Sequence, residues 1–205
     1  WLKRALAVRD EEVRTVGWAV VYFFCLMAGY YVLRSLRDAM GIAGGVKQLP
    51  WLFMGTLATT TALTPLFSLL VSRYTRSRFI PFVYRFFQIN LAIFFLLFKF
   101  VPDAHRISIA RAFFVWISVF NLFAVSVFWG FMADIFNSEQ GKRLFGLIGL
   151  GGTIGAAAGA FLNTQLAEKL GVVNLLVVSG VLLELGVQSV HQLVRIARPR
   201  GADVT

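Results

Sequence analysis

The chain has 205 residues, of which 58% are hydrophobic and only 15% are charged, and its formal net charge at pH 7 is +10. A soluble domain usually carries about 25% charged residues, so this composition excludes an ordinary soluble domain and favours a protein embedded in a bilayer. The basic residues lie in short clusters between apolar runs, which is typical of loops near anionic lipid and argues against nucleic-acid binding.

The N-terminal segment differs from the rest of the chain. Its apolar residues recur at near-helical spacing among charged ones, at Leu2, Ala5, Leu6 and Val13. This pattern predicts that residues 1–15 form an amphipathic helix lying along the inner leaflet of the membrane.

Six apolar runs follow, and each has the roughly 20 residues that a membrane-spanning helix needs. The predicted spans are Val16–Leu36, Leu49–Val71, Phe79–Val101, Ala110–Ile135, Leu144–Leu166 and Val172–Ile196. We therefore expect an all-α polytopic membrane protein with a six-helix bundle over residues 16–197. Residues 198–205 are then a cytoplasmic tail or the start of a linker.

The orientation of the bundle follows from the positions of Lys and Arg. Twelve of them lie in the N-terminal segment, in the loops after the second and fourth spans, and at the C-terminus. Five lie in the connections on the opposite side. Because cytoplasmic loops carry the excess of positive charge, both termini are predicted to be cytoplasmic, with the protein in the cell inner membrane.

The first span ends in the charged stretch YYVLRSLRDAM. Arg34, Arg37 and Asp38 share one helix face with Tyr30, because their separations are close to one or two helical turns. Two interpretations stay open. Arg34 can reach the outer interface with its long side chain, or the two guanidinium groups can form a site for an anion such as phosphate.

The third and fourth spans also contain polar residues. Arg85 and Gln88 are one turn apart, and a structural role inside the bundle is favoured for them. Ser118 and Asn121 form a polar pair that suits either packing or the lining of a cavity. Asp134 ends the fourth span at the inner face, where it can form an interfacial ion pair with nearby basic residues.

The fifth span contains the glycine-rich stretch GLIGLGGTIGAAAGA. It lacks the Gly-Lys-Ser/Thr ending of a phosphate-binding loop and any strand–helix–strand context. Its glycines Gly151, Gly155 and Gly159 recur every four residues, which gives a smooth face for another helix. The sequence therefore predicts a tight helix contact and not a nucleotide site.

The sixth span carries a polar stripe. Glu184 is predicted near the middle of the bilayer, and Gln188 and His191 follow on the same face. The stripe is a proton or ion relay, a seam with a partner, or a carboxylate hydrogen-bonded to a neighbouring helix. A donor from another helix is expected for Glu184, although Arg85 is a weak candidate because it is predicted to lie nearer the inner face.

Three stretches resemble a known family. YYVLRSLRDAM, RFIPFVYRFF and FWGFMADIFNSEQGKRLFGLIGLGG resemble the ATP/ADP translocase-type nucleotide transporter family and its bacterial relatives. The resemblance covers most of Gly29–Ala158. It implies a fold similar to the major facilitator superfamily, with this chain as the N-terminal six-helix half of a twelve-helix transporter. Arg37 stands where related carriers have a lysine.

The resemblance also implies roles for particular residues. Arg73 and Arg76 match the loop that facilitator proteins use for gating, with Asp134 and the three fifth-span glycines as further structural or gating residues. The first and fourth helices would line a central cavity. Tyr30, Arg34, Arg37, Asp38 and Asn121 would then form the substrate site.

Two functions are compatible with the sequence. The first is one half of a secondary transporter for an anionic solute, such as a nucleotide or another phosphorylated compound. The second is a non-transporting membrane subunit of a larger complex. An enzyme, a cofactor and a metal site are not expected, since the chain has no nucleophile–base constellation and no cluster of metal ligands. The expected partners are lipid and either a C-terminal six-helix half, a second copy or another membrane subunit.

Overall fold

The computed structural model of the chain describes residues 8–43, 45–73 and 76–197. Of these residues 94% are helical, and none lies in a strand. Six long helices follow one another: α1 Val13–Ala43, α2 Leu49–Arg73, α3 Arg76–Phe100, α4 Asp103–Ile135, α5 Ser138–Leu170 and α6 Leu175–Ala197. Each is long and apolar enough to cross a membrane. The predicted all-α class is confirmed, whereas residues 1–7 and 198–205 lie outside the described residues.

Several helices are longer than the predicted spans. α1 begins at Val13 and continues well beyond Leu36, and α4 and α5 begin before Ala110 and Leu144. Hydropathy marks only the apolar part of a helix, and polar ends extend it where their groups are hydrogen-bonded. At the start of α5, Asn137 and Gln140 form a reciprocal capping box, with side-chain-to-backbone bonds of 2.9 and 3.1 Å.

The connections after α1 and after α5 have the same backbone structure. Gly45 after α1 has φ 98° and Gly171 after α5 has φ 80°, and each precedes a three-residue 3-10 turn. A positive φ is open to glycine at little cost, because glycine has no Cβ. These turns reverse the chain, so that α2 and α6 return alongside the bundle.

The six helices run up and down around α1. α1 packs most extensively against α5 and α6 and also contacts α4. α2 is different: it contacts mainly α4, and no residue of its most apolar 18-residue window is buried. An apolar groove of about 450 Å³ separates α2 from α3 and α4. α1 is therefore the centre of the bundle, and α2 lies at its edge.

The glycine face of α5 lies directly on the backbone of α1. Gly151 faces Val20, Gly155 faces Phe24 and Gly159 faces Ala28. Both series ascend by four residues, so the two helices run parallel. A methyl group on Gly155 or Gly159 would overlap a carbonyl oxygen of α1. The tight helix contact predicted from the spacing is present.

Aromatic side chains join α1, α3 and α4 in the core. The hydroxyl groups of Tyr22 and Tyr84 lie 2.5 Å apart, and both side chains are almost completely buried. The ring of Phe128 packs edge-on against Tyr22 and stacks on Phe23 at 4.2 Å. One hydroxyl group donates to the other, so both oxygen atoms have a hydrogen-bond partner in an apolar surrounding, which lowers the cost of burying them.

Candidate functional site

The charged end of α1 forms a compact cluster against α4. The guanidinium group of Arg37 donates through Nε and Nη2 to Oδ1 of Asp38, at 2.9 and 2.7 Å. Its Nη1 donates to Oγ of Ser118 on α4, at 3.2 Å. The same group lies 5.1 Å from the ring centre of Phe114. Arg37 is therefore fixed in orientation by a carboxylate on one side and by α4 on the other.

Arg34 is held much more loosely than Arg37. Its Nε lies 3.9 Å from Oδ2 of Asp38, and its side chain is 45% exposed, compared with 12% for Arg37. The guanidinium group lies over the ring of Tyr31 at 5.2 Å, a cation–π contact. Asp38 thus contacts both arginines, and Arg34 keeps most of its hydrogen-bond donors for another acceptor.

The other two residues predicted for this site have different surroundings. Tyr30 is 7% exposed, and its ring packs edge-on against Tyr31 at 5.6 Å. Asn121 is half-buried on α4, one turn from Ser118. The Arg37–Ser118 bond brings the predicted polar pair of α4 next to the charged end of α1. Sequence spacing did not predict that contact.

A second polar cluster joins α3 to α6. Oε2 of Glu184 lies 2.6 Å from Nη1 of Arg85, and Oε1 accepts from Nη2 at 2.9 Å. Gln88 donates to Oε2 at 3.1 Å, and Gln188 donates to Oε1 at 2.8 Å. The expected donor from another helix is present. The expectation that Arg85 is a weak candidate for this contact was wrong.

The pairing has a geometric cause. α3 begins at Arg76, earlier than the predicted start at Phe79, so Arg85 lies about 13 Å into the helix. The remaining offset from Glu184 is within reach of a long arginine side chain. His191 is exposed one turn beyond Gln188. The polar stripe of α6 therefore includes an interhelical ion pair at Glu184.

A third cluster, at the other end of α1, was not predicted. Glu12 is only 3% exposed and accepts hydrogen bonds from the backbone N–H of Arg9, from Gln140 and from Arg143, at 3.0, 2.9 and 3.1 Å. Burial by itself raises the pKa of Glu12, but these donors outweigh it and leave the pKa below its ordinary value of 4.5. The capping pattern Asn-Ser-Glu-Gln was the available signal, because it orients Gln140.

The residues assigned to a gating loop lie at helix ends. Arg73 is exposed at the end of α2, and Arg76 begins α3, although its side chain lies outside what the structure describes. Asp134 is exposed in the last turn of α4. Their gating role stays a prediction.

Comparisons with family models, with curated proteins and with solved structures found no match to this chain.

Proposed function

We propose that the chain is a multi-pass protein of the cell inner membrane, with both termini in the cytoplasm. Six helices of sufficient length and apolar character support this placement. The excess of Lys and Arg at one end of the bundle supports the orientation. α1, α4 and α5 contain 31, 33 and 33 residues, or about 46–50 Å, so their ends would extend beyond the roughly 30 Å hydrocarbon core.

Within that membrane, the chain would act as one half of a secondary transporter with a major-facilitator-like fold. The support for this fold is the resemblance of three stretches to nucleotide transporters. A second six-helix unit is required, because alternating access rocks two halves around a central site. The exposed apolar surface of α2 and the groove beside it are suited to receive that unit.

The proposed solute is an anion bound by Arg34 and Arg37. The observation that carries this proposal is the contrast between the two arginines. Arg37 is fixed by Asp38 and Ser118, so its charge is held in place without the solute. Arg34 is half-exposed beside it, with donors that a phosphate or carboxylate oxygen can use. The fixed guanidinium group of Arg37 beside the available donors of Arg34 is a preorganised arrangement for a phosphorylated solute such as a nucleotide.

A second candidate function is a non-transporting membrane subunit that uses the same bundle as a scaffold. The exposed apolar surface of α2 is equally suited to it, since a partner helix from another protein can cover that surface as well as a transporter half can. In this case the arginine cluster would anchor the end of α1 to α4 and bind no solute.

Uptake into proteoliposomes separates the two functions. The purified chain is reconstituted and offered radiolabelled nucleotide, inorganic phosphate and a neutral nucleoside. The transporter proposal expects saturable uptake of an anion and none of the nucleoside. Equal background entry of all three solutes into protein-containing and protein-free liposomes would contradict it and favour the scaffold.

A further inference from the structure

The apolar groove of about 450 Å³ beside α2 has α2 and α3 as its walls and α4 as its floor. Both wall helices pack on α4 but have almost no direct contact with each other. Leu66 of α2 and Phe82 of α3 are exposed by 53% and 70%, whereas Val119 and Phe123 of the floor are buried. The groove is therefore open at the surface of the bundle and closed towards its interior.

The lining of the groove is suited to hydrocarbon. Of the lining residues that the structure describes, Asn90 alone has an amide, hydroxyl or charged side chain. Its Nδ2 already donates to the carbonyl oxygen of Phe86 at 2.8 Å. The remaining lining side chains are those of leucine, valine, phenylalanine and tryptophan. A hydrocarbon chain can enter such a groove without breaking hydrogen bonds, whereas a polar ligand would lose those it makes in water.

The dimensions of the groove match one acyl chain. The groove follows α3 from Phe79 to Asn90, a distance of about 16 Å at 1.5 Å per residue. One leaflet contributes about 15 Å to the hydrocarbon core of a bilayer. A volume of 450 Å³ over this length corresponds to a mean cross-section of about 28 Å², which admits one extended hydrocarbon chain. An α-helix, about 10–12 Å in diameter, needs about 80 Å² and can only lie across the groove.

One end of the groove lies beside a basic residue. Leu66, Leu70 and Arg73 are separated by four and three residues, so they share one face of α2, with Arg73 one turn beyond the last lining leucine. Arg73 is exposed and has no partner among the residues whose side chains the structure describes. Asp134, in the last turn of α4 at the same end of the bundle, already has an interaction of its own. The guanidinium group of Arg73 can therefore bind a phosphate oxygen at this end.

We propose that the groove binds one phospholipid of the inner leaflet and prefers an anionic headgroup. One acyl chain lies between α2 and α3, and the headgroup phosphate accepts hydrogen bonds from Arg73. The proposed orientation supports this site, since Arg73 ends α2 on the side with the excess of Lys and Arg. The inference rests on the proposed membrane location and is independent of whether the chain transports a solute.

The bound chain would also complete the packing of α2. Phe67 of α2 stacks on Phe123 of α4 at 4.4 Å, but the side of α2 towards α3 has no such contact. An acyl chain in the groove supplies dispersion contacts to both walls. Leu57 and Leu69, which are exposed by 67% and 47%, lie outside the groove and stay available to a second six-helix unit.

Native mass spectrometry of the purified chain tests the site. The chain is reconstituted in liposomes of phosphatidylglycerol and phosphatidylcholine in equal amounts and extracted in a mild detergent, and the retained lipids are identified by mass. We expect the chain to retain a single phosphatidylglycerol, at least several-fold more often than phosphatidylcholine. Three results would overturn the proposal: a chain without retained lipid, a dimer without retained lipid, and equal retention of the two lipids. The dimer would assign the groove to a second copy.

A larger side chain in the groove tests where the lipid binds. Leu66→Trp places an indole ring in the groove, and Leu69→Trp places the same ring on α2 outside it. Both replace exposed leucines, so both variants should keep the unfolding temperature of the parent in detergent without added lipid. We expect Leu66→Trp to lower lipid retention at least several-fold and Leu69→Trp to retain lipid as the parent does. Equal retention by the two folded variants would show that the lipid binds elsewhere.

Substitution of Arg73 tests the headgroup contact. Arg73→Gln removes the charge at the end of the groove, so we expect the dissociation constant for phosphatidylglycerol to rise about fivefold and that for phosphatidylcholine to stay unchanged. The constants are obtained by lipid titration in native mass spectrometry. Arg195→Gln, in the last turn of α6 at the same end of the bundle, is the matched control and keeps both constants. Equal constants for the two variants would contradict the headgroup contact. Absence of solute uptake by a chain that binds the lipid would count against the proposed function alone.

Discussion

Arg85 of α3 and Glu184 of α6 form an ion pair of 2.6 Å between helices that are distant in sequence. Glu184 is one third exposed and Arg85 about half exposed, and two glutamines complete the carboxylate's hydrogen bonds. In the proposed membrane location, the pair would tie α6 to α3 where a bilayer offers no other hydrogen-bonding partners.

The first prediction concerns this pair. Glu184→Leu leaves Arg85 without its counter-charge, so we expect the free energy of unfolding in detergent micelles to fall by about 1–2 kcal/mol. Glu184→Gln keeps one of the two acceptor oxygens, so it should cost less than Glu184→Leu. The double variant Arg85→Met/Glu184→Leu should be more stable than Glu184→Leu alone, because no unpaired charge remains. With the single variant Arg85→Met these proteins form a double-mutant cycle, and strictly additive losses in stability would show that the pair contributes nothing.

The second prediction concerns the α1–α5 contact. Gly155→Ala places a methyl group against the carbonyl oxygen of Phe24, and we expect a loss of about 1–3 kcal/mol in thermal unfolding experiments. Gly149→Ala is the matched control on the same helix, since nothing lies within 4 Å of its added carbon. That variant should unfold within about 0.5 kcal/mol of the parent. Equal stabilities of the two variants would show that the contact between Gly155 and α1 does not stabilise the bundle.

The third prediction concerns the buried carboxylate of Glu12. Its pKa is lower in the folded protein than the ordinary 4.5, so the unfolded chain binds the proton more readily. The stability that Glu12 contributes is therefore present above about pH 4.5 and is lost as the pH falls through the folded pKa.

Glu12→Gln should lower the free energy of unfolding by about 1–3 kcal/mol at neutral pH, with a smaller loss in acid. The measurement is denaturant unfolding as a function of pH. Glu168→Gln, at an exposed position near the end of α5, is the control and should keep the pH profile of the parent. A loss at Glu12 that is independent of pH would contradict the assignment.

The fourth prediction concerns orientation in the membrane. In a Cys25→Ala background, Val46→Cys lies between α1 and α2, and Ser138→Cys lies at the start of α5. A membrane-impermeant thiol reagent should label the first in intact cells and the second only after permeabilisation. The reverse pattern would show that the excess of basic residues does not set the topology of this chain.

The sequence predicted the six long helices well, because apolar runs of spanning length have few alternative structures. It also predicted the glycine contact of α5, since small residues at every fourth position form a smooth face that another helix can approach closely. Helix ends were less predictable. Hydropathy does not register hydrogen bonds such as those of Asn137 and Gln140, which extend α5 by more than one turn beyond its apolar part.

Contacts between helices were the least predictable feature. The sequence shows that Glu184 needs a donor, but which helices are neighbours depends on the packing of the whole bundle. Arg85 was predicted to lie nearer the inner face because the third span was taken to begin at Phe79, whereas α3 begins at Arg76. Ser118 bonds to Arg37, and Glu12 bonds to Gln140. The two residues of each bond are far apart in the chain, so no local spacing rule predicts either contact.

The fifth prediction tests the anion site directly. Arg34 makes a 3.9 Å ionic contact with Asp38 and a cation–π contact with Tyr31, both at half-exposed positions, so Arg34→Gln should fold normally. Loss of Arg37, in contrast, would also remove its hydrogen bonds to Asp38 and Ser118. Arg106→Gln is the matched control, because Arg106 is an exposed arginine at the start of α4 paired with Asp103 at 2.8 Å.

The deciding measurement is the initial rate of anion uptake into proteoliposomes containing the parent protein, Arg34→Gln or Arg106→Gln, each with its unfolding temperature. The account predicts that Arg34→Gln lowers the rate at least about tenfold, the effect of losing one charge-assisted hydrogen bond, at an unchanged unfolding temperature. Arg106→Gln should take up the anion at the rate of the parent protein. Uptake by Arg34→Gln at the parent rate would contradict the assignment of this cluster as the anion site.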